Sequence, residues 1–283
     1  MIATSFDTRT CMLGEGPLWH PEREQLFWFD ILAKKLLSRV GDRQLTWQFD
    51  EYVSAAGWID KDRLLIASET QLFQFNLTDG TQTHVAHLEA ELPNTRSNDG
   101  RADPWGGFWI GTMGKNAEPK AGSIYRFYNG EISKLFGEIT ISNSICFSPD
   151  KRWAYFTDTA DGFIQRQALD DDGWPTGAPE ILIDLSHESF GADGSVVDTE
   201  GYIWNAQWGA SRVARYAPDG TFEGAIDFPA LQVSCPAFGG PDRNMLYATS
   251  ATQGMTVPGP KEGQTYLVQT EAVGQLEHRV KIW

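Results

Sequence analysis

The sequence is poor in cysteine and histidine and contains no long apolar run. Its 283 residues include three Cys and five His, too few and too scattered for a disulfide framework or a cysteine-rich zinc site. Cys11, Cys146 and Cys235 each lie in an apolar, strand-like context, so we expect reduced, structural thiols. No uncharged apolar stretch reaches the roughly 18 residues that a membrane-spanning helix requires.

Positive charge is also scarce. Only 23 Lys and Arg stand against 38 Asp and Glu, which gives a formal net charge of -15. Such a surface repels nucleic acid, and no run of basic residues suggests a local patch. The first residues lack the basic and apolar segments of a secretion signal. We therefore expect a soluble, cytoplasmic protein without nucleic-acid or membrane partners, present as a monomer or weak homo-oligomer.

Several common catalytic and metal-binding signatures are missing. There is no GxSxG elbow of a serine hydrolase, no HExxH of a zinc protease and no glycine-rich phosphate loop after a strand. His84 and His87 have a spacing compatible with metal ligation on one helical face, but we expect them to be exposed between repeats. The acidic segment 170–175 lacks the distal Glu of an EF-hand, which favours a solvated turn.

What the sequence does contain is aromatic residues, turn formers and a repeat. It has 11 Trp, 16 Phe, 8 Tyr, 28 Gly and 14 Pro, the composition of a folded, turn-rich protein. One plan recurs six times: an anchor position, a turn about six residues later, and a strand-like run that follows. The anchors are Glu15, Ala55, Asn98, Asn143, Asp193 and Cys235, spaced by 40, 43, 45, 50 and 42 residues.

The repeat predicts an all-β fold, a six-bladed β-propeller. A further alternating strand follows the core pair in most copies, and strand, turn, strand, strand at this period is typical of a propeller blade. A β-sandwich or a solenoid is the alternative, although sandwich strands need not repeat an anchor and a turn in register. We predict one domain over residues 1–283, with residues 3–13 as the outer strand of the sixth blade.

The anchors predict a central metal site. The first strand of each blade lies nearest the propeller axis, so equivalent positions form a ring. Four of the six anchors carry oxygen, two of them are negative, and no Lys or Arg occupies the ring. Buried carboxylates require a compensating cation, and this ligand set suits Ca²⁺, Mg²⁺ or Mn²⁺. The alternative is that these are turn and cap residues.

Five segments resemble one known family along essentially the whole chain. LGEGPLW, RSNDGRADPWGGFWIGTM, ISNSICFSPD, ADGSVVDTEGYIW and VSCPAFGG are similar to conserved stretches of the gluconolactonase, senescence-marker-protein and regucalcin family of six-bladed propellers. The resemblance implies a metal-dependent hydrolase that opens sugar lactones. It implies that Glu15, Asn143 and Asp193 are metal ligands, with Asp193 also the general base, and that Arg96 and Asn98 contact substrate hydroxyls. One divalent ion is expected, with Ca²⁺ favoured and Zn²⁺, Mg²⁺ and Mn²⁺ left open.

One departure and two alternative functions stay open. Where some family members have an acidic residue near the sugar, this chain offers Lys115 and Asn116. We expect Lys115 to contact the substrate and hypothesise that it favours a lactone with an anionic substituent; the alternative is a solvated loop lysine. A non-catalytic calcium-binding or regulatory propeller, and an ester or organophosphate hydrolase, are the other functions that this pattern allows.

Overall fold

Six four-stranded antiparallel sheets form the fold in the computed structural model, which describes residues 2–283. Each sheet is one blade. Within residues 2–283 there is no helix, and accordingly none long and apolar enough to cross a membrane. The inner strand of each blade contacts the inner strands of both neighbouring blades, and the last contacts the first, so the blades close into a ring. The predicted six-bladed propeller is confirmed.

The strands follow one another in chain order, after an N-terminal strand β1 (Thr4–Asp7). Blade 1 is β2 (Gly14–His20), β3 (Gln25–Asp30), β4 (Lys35–Val40) and β5 (Arg43–Gln48), and blade 2 is β6 (Val53–Asp60), β7 (Arg63–Ser68), β8 (Gln71–Asn76) and β9 (Gln82–His87). Blade 3 is β10 (Thr95–Ala102), β11 (Phe108–Gly114), β12 (Gly122–Tyr128) and β13 (Glu131–Ile139), and blade 4 is β14 (Ser142–Phe147), β15 (Trp153–Asp158), β16 (Phe163–Ala168) and β17 (Glu180–Asp184). Blade 5 is β18 (Gly191–Val197), β19 (Ile203–Trp208), β20 (Arg212–Tyr216) and β21 (Phe222–Asp227), and blade 6 combines β22 (Val233–Gly239), β23 (Met245–Ser250) and β24 (Thr265–Gln269) with β1.

The N-terminal strand closes the ring, as predicted. β1 pairs antiparallel with β24, with Thr4 opposite Leu267, and so becomes the outer strand of blade 6. The strand covers only Thr4–Asp7 of the predicted segment 3–13. Because β24 would otherwise expose its backbone N–H and C=O groups, this pairing protects an edge of the sheet.

The core lies between neighbouring blades. Inner and second strands are covered on both faces; every residue of β3 and of β11 is buried. Outer strands such as β5 have one face in solvent and alternate between exposed and half-buried residues. This difference explains why the repeat is clearest in the first two strands of each copy.

A C-terminal segment, residues 270–283, crosses the end of the axis at which the inner strands finish. The Gln275 side chain donates to the carbonyls of Phe147 and Val197, in blades 4 and 5. The Val280 N–H donates to the Trp58 carbonyl of blade 2 at 2.9 Å. The segment therefore ties four successive blades together, because Arg101 of blade 3 also pairs with Glu277. The sequence did not predict this strap.

Two weaker sequence signals have structural explanations. His84 and His87 are exposed, as expected, but the expectation that they lie between repeats was wrong: they belong to β9, the outer strand of blade 2. The acidic segment 170–175 is a turn, in which the Asp170 carboxylate accepts from the N–H groups of Asp172 and Trp174. That carboxylate is therefore used to hold the turn.

Candidate active site

The six anchor positions lie near the start of the inner strands, and each of these strands has a β-bulge there. The register shifts fall between Glu15 and Leu18, Val53 and Ala55, Ser97 and Gly100, Asn143 and Cys146, Ala192 and Ser195, and Val233 and Pro236. A bulge bends a strand and changes the direction of its side chains, and bulges are frequent beside active sites. Here they interrupt the regular alternation of side chains at the end of the ring that carries the anchors.

Two of these bulges depend on unusual backbone conformations. Gly16 has φ +53°, and a Cβ there would lie 2.2 Å from the Ser54 carbonyl oxygen, so only glycine fits beside Glu15. Ser144 has φ 61°, a left-handed conformation that is uncommon for a residue with a side chain. Its hydroxyl donates to the Asp193 carbonyl and is 2.8 Å from the Ser195 hydroxyl. These contacts connect the bulges of blades 4 and 5.

Four anchors from four blades line one cavity of about 420 Å³ at this end of the axis. They are Glu15, Asn98, Asn143 and Asp193, all buried. The remaining two anchors, Ala55 and Cys235, are buried but do not line it. Cys235, like Cys11 and Cys146, forms no disulfide, and burial raises the pKa of its thiol. The cysteines thus have the structural character that the sequence predicts.

A chain of hydrogen bonds fixes the orientation of both amides. Arg96 donates to Asn98 Oδ1 at 2.7 Å, and Asn98 Nδ2 donates to Asn143 Oδ1 at 3.0 Å. Asn143 Nδ2 in turn donates to Thr159 Oγ1 at 2.9 Å. Because each amide nitrogen has an acceptor, Asn143 keeps its oxygen on the side of Asn98, with one lone pair free for a further ligand. Arg96 lines the same cavity.

Buried carboxyl groups close to one another dominate the electrostatics of the cavity. Burial, and then the neighbouring Asp99, raise the pKa of Glu15 to about 8. Burial, followed by the Glu15 charge, raises the pKa of Asp193 well above its ordinary value. The Arg96 charge opposes both shifts; burial lowers the pKa of Arg96 to about 10, so it remains protonated at neutral pH. Without a cation, these shifts favour the protonated form of both carboxyl groups.

Asp99 is a third carboxylate at the axis that the sequence analysis missed. It is buried, and its Oδ2 accepts from the Ile145 N–H at 2.7 Å. Burial raises its pKa to about 6, while the Ile145 N–H and Arg101 oppose that shift. In a regular strand, Asp99 would point away from the side on which Asn98 lies. Both residues fall within the bulge of β10, so the alternation that would exclude Asp99 does not hold.

The residues present fit a hard divalent cation. Glu15 and Asp193 offer carboxylate oxygens and Asn143 offers an amide oxygen, the ligands that Ca²⁺, Mg²⁺ and Mn²⁺ prefer. Adjacent buried carboxylates that disfavour each other's ionisation are stabilised by a cation between them. Within residues 2–283 no group of three or more His, Cys, Asp or Glu is arranged to hold a metal ion. A three-residue set here therefore depends on the Asn143 amide.

Lys115, which was predicted to contact the substrate, lines the cavity, but its ammonium group already has partners. Lys115 Nζ is 2.5 Å from Glu69 Oε1 and donates to the Pro93 carbonyl at 2.8 Å. Glu69 was not considered in the sequence analysis, because it lies in a different blade. Its charge offsets that of Lys115, which removes much of the argument for an anionic substituent. Asn116, also in the cavity wall, hydrogen-bonds to Glu118.

Most of the remaining cavity wall is apolar, with Thr159 and Gln253 as its polar members. Its larger apolar side chains come from blades 1, 3 and 5 and from the segments that join blades: Leu13, Leu32, Met113, Ile141 and Trp208. The polar groups thus converge on the floor and on the side contributed by blade 3. A concave site with a few placed polar groups and otherwise apolar walls is typical of small-molecule binding.

The chain matches known proteins over nearly its whole length. The family described as SMP-30/Gluconolactonase/LRE-like region matches residues 13–252. The chain is 36% identical to an L-arabinolactonase of Azospirillum brasilense, over 96% of this chain and 93% of that protein. It is 33% identical to a 6-deoxy-6-sulfogluconolactonase of Pseudomonas putida, over 86% and 84%.

A solved structure gives the same result for the fold. The crystal structure of a calcium-binding protein, regucalcin, from Agrobacterium tumefaciens superposes with a TM-score of 0.95 at 41% identity, covering 98% of this chain and 96% of that one. The fold and the extent of these matches agree. The chain belongs to the SMP-30/gluconolactonase/LRE-like family.

Proposed function

We propose that this protein is a metal-dependent sugar lactonase that opens an aldonolactone to the aldonic acid. The observation that carries the proposal is the convergence of Glu15, Asn143 and Asp193 on one cavity, with Arg96 and Asn98 beside them. Relatives named for lactonase activity, similar over most of the chain, support the reaction class. The sugar-binding side and the proposed metal-binding side share one hydrogen-bonded unit, from Arg96 through Asn98 to Asn143.

Glu15, Asn143 and Asp193 would hold one divalent ion. When bound, the ion supplies polarisation of the lactone carbonyl and offsets the charge of the two carboxylates. Calcium is favoured because all three ligands are oxygens, and because the structurally similar regucalcin is described as calcium-binding. Zinc, magnesium and manganese are the alternatives to calcium.

Asp193 is assigned the role of general base. It lines the cavity, and its backbone carbonyl is held by Ser144 and by Asn205 Nδ2, so its position is well defined. As the water oxygen bonds to the carbonyl carbon, Asp193 accepts a proton from that water. When the ring C–O bond breaks, the proton passes to the departing ring oxygen, which becomes a hydroxyl group of the product.

Arg96, Asn98 and Lys115 are assigned to substrate binding. Arg96 and Lys115 bring N–H donors to the side of the cavity formed by blade 3, where sugar hydroxyls would accept them. The apolar side chains of the wall suit the C–H face of a sugar ring. A site that pairs with hydroxyl groups rejects substrates lacking them, because its buried polar groups would be left without partners.

The test is acid release from a panel of aldonolactones, corrected for spontaneous hydrolysis. Protein stripped with a chelator should be inactive, and stepwise return of Ca²⁺, Zn²⁺, Mg²⁺ or Mn²⁺ should restore turnover. Asp193→Ala should lose about 100-fold or more in kcat, whereas Asp171→Ala, in an exposed turn, should behave as wild type. Wild-type turnover in Asp193→Ala would refute the assignment.

Two other functions are separated by the same assay. The similarity to a calcium-binding regucalcin favours a non-catalytic calcium-binding propeller as the second candidate; tight Ca²⁺ binding without turnover of any lactone would support it. The apolar wall of the cavity favours an ester or organophosphate hydrolase as a third. An aryl ester and a phosphotriester in the panel test this third function. If it is correct, one of them should be turned over faster than every lactone.

A further inference from the structure

An ion pair behind the cavity wall connects blades 2 and 3. Glu69, in the turn between β7 and β8, has Oε1 2.5 Å from Lys115 Nζ. Its Oε2 accepts from the Tyr52 N–H at 3.1 Å, and its own N–H donates to the Tyr52 carbonyl at 3.1 Å. Only 13% of the Glu69 side chain is exposed, against 32% for Lys115. The carboxylate is therefore fixed, while the lysine faces the cavity.

The ammonium group of Lys115 is fixed as well. Besides Glu69 it contacts the Pro93 carbonyl at 2.8 Å, and it lies 6.0 Å from the centre of the Tyr52 ring. Two of its three N–H groups are thus used within the protein, which leaves one for a ligand in the cavity. The wall presents a hydrogen-bond donor whose positive charge is offset by a carboxylate directly behind it.

We propose that Glu69 determines the charge selectivity of the site, so that the protein prefers a lactone with an uncharged hydroxyl group at the Lys115 position over one with an anionic substituent there. This inference rests on the proposed lactonase function. An anion beside Lys115 would be attracted by the ammonium but repelled by the Glu69 carboxylate directly behind it. A hydroxyl group accepts the same hydrogen bond without that repulsion.

Substrate charge is a relevant distinction in this family. One relative, at 33% identity, is named for a sulfonated gluconolactone, whereas another, at 36%, is named for the uncharged L-arabinolactone. A residue behind the wall can change the preference without touching the substrate. Glu69 does not line the cavity, so it acts through Lys115 as a positioning and electrostatic residue.

The test compares Glu69→Gln with wild type on two matched hexonolactones that differ only in a neutral hydroxymethyl or an anionic sulfonate group. Glutamine keeps the size of the side chain and removes its charge. The ratio of kcat/KM for the anionic to the neutral lactone should rise about tenfold, mainly through KM, and the rise should shrink at high salt. The value for the neutral lactone should stay within about threefold of wild type.

Two further variants separate this role from a structural one. In Lys115→Met/Glu69→Gln the ratio should fall back to that of Lys115→Met alone, since the freed ammonium is gone. Glu91→Gln, an exposed glutamate in the loop before β10, should leave the ratio unchanged. A wild-type ratio in folded Glu69→Gln, judged by its thermal melt, would overturn the proposal.

Failure of the lactonase assignment is distinguishable from failure of this inference. If wild type turns over no lactone, the same comparison is made by calorimetry with non-hydrolysable cyclic ether analogues of the two substrates. Glu69→Gln should then improve the relative affinity for the anionic analogue by a similar factor. Equal relative affinities in wild type and variant would overturn the role of Glu69 in charge selectivity, whatever reaction the protein catalyses.

Discussion

Asn98 Nδ2 donates a hydrogen bond to Asn143 Oδ1 at 3.0 Å, which joins the inner strands of blades 3 and 4 at the floor of the cavity. Asn98 Oδ1 is engaged by Arg96, so its amide has only one favourable orientation. The residue expected to contact substrate therefore also orients an expected metal ligand. Substrate binding and metal binding should be coupled through this pair.

Replacement of Asn98 by alanine should weaken both substrate binding and metal binding. Asn143 loses the donor that directs its oxygen, and loss of such a supporting hydrogen bond typically reduces metal affinity about 10-fold to 100-fold. Calcium titration of chelated protein measures the affinity, and lactone kinetics measure the effect on KM. Asn116→Ala is the matched control, because Asn116 lines the same cavity but does not contact Asn143. Unchanged calcium affinity in Asn98→Ala would contradict the coupling.

The metal-free protein should become less stable as pH rises through the neutral range. The pKa of Glu15 is about 8 in the folded protein, against 4.5 ordinarily. Between these values the unfolded chain has released a proton that the folded protein retains, so the free energy of unfolding falls with increasing pH. Below pH 4.5 both states are protonated, so the free energy of unfolding no longer changes with pH through Glu15 and the destabilisation is absent. Asp193, shifted in the same direction, adds to the effect.

Thermal melts of chelated protein from pH 4.5 to pH 8 measure this dependence. Glu15→Gln cannot ionise, so its Tm should vary less with pH. Added calcium should raise the Tm of wild type more at pH 8 than at pH 5, since protons compete with the metal for the carboxylates. A Tm for the chelated wild type that rises over this range would show that these carboxylates are not destabilised when charged.

Removal of the N-terminal strand should destabilise blade 6. Phe6 packs edge-on against Tyr247, with ring centres 5.0 Å apart, and near Trp28 at 6.1 Å. A variant lacking residues 2–8 loses these contacts and exposes the edge of β24. We expect a lower Tm and concentration-dependent association, seen by size-exclusion chromatography. Thr4→Ala, at the solvent-exposed start of β1, should have little effect on either.

The architecture was predictable because the same arrangement of strands and turns recurs along the sequence. Each blade repeats an inner and a second strand that are covered on both faces, and a turn at a similar distance from its anchor, so six copies of one pattern specify six blades. The pairing of β1 with β24 followed from the need to cover an edge. The clustering of Glu15, Asn143 and Asp193 followed from their equivalent positions in that pattern.

The features that could not be predicted from the sequence do not recur from blade to blade. The β10 bulge removes the alternation that would turn Asp99 away from the Asn98 side, and nothing in SNDGR marks the bulge. Glu69 and Lys115 belong to different blades, so their contact is a tertiary property. The strap at 270–283 has neither strand periodicity nor a helical pattern, although it buries Val280 and Ile282.

An ion pair between Arg101 and Glu277 holds the strap against blade 3. Arg101 Nη1 lies 3.0 Å and 3.2 Å from the two carboxylate oxygens of Glu277, and the side chains are only 11% and 13% exposed. Glu277→Ala leaves the guanidinium group largely buried without its counterion. Such a loss costs about 3 kcal/mol of unfolding free energy. Urea denaturation measures it, with Glu271→Ala, an exposed position in the same segment, as the control.

A second variant distinguishes the buried charge from the strap itself. In Arg101→Met/Glu277→Leu both charges are replaced by apolar groups, so most of the lost stability should return if the unpaired guanidinium is the cause. If the double variant is as unstable as Glu277→Ala, the strap needs the ion pair for its position. Since Arg101 also opposes the raised pKa of Asp99, the two variants should differ in calcium affinity as well. Equal affinities in both would show that the far end of the axis is electrostatically separate from the cavity.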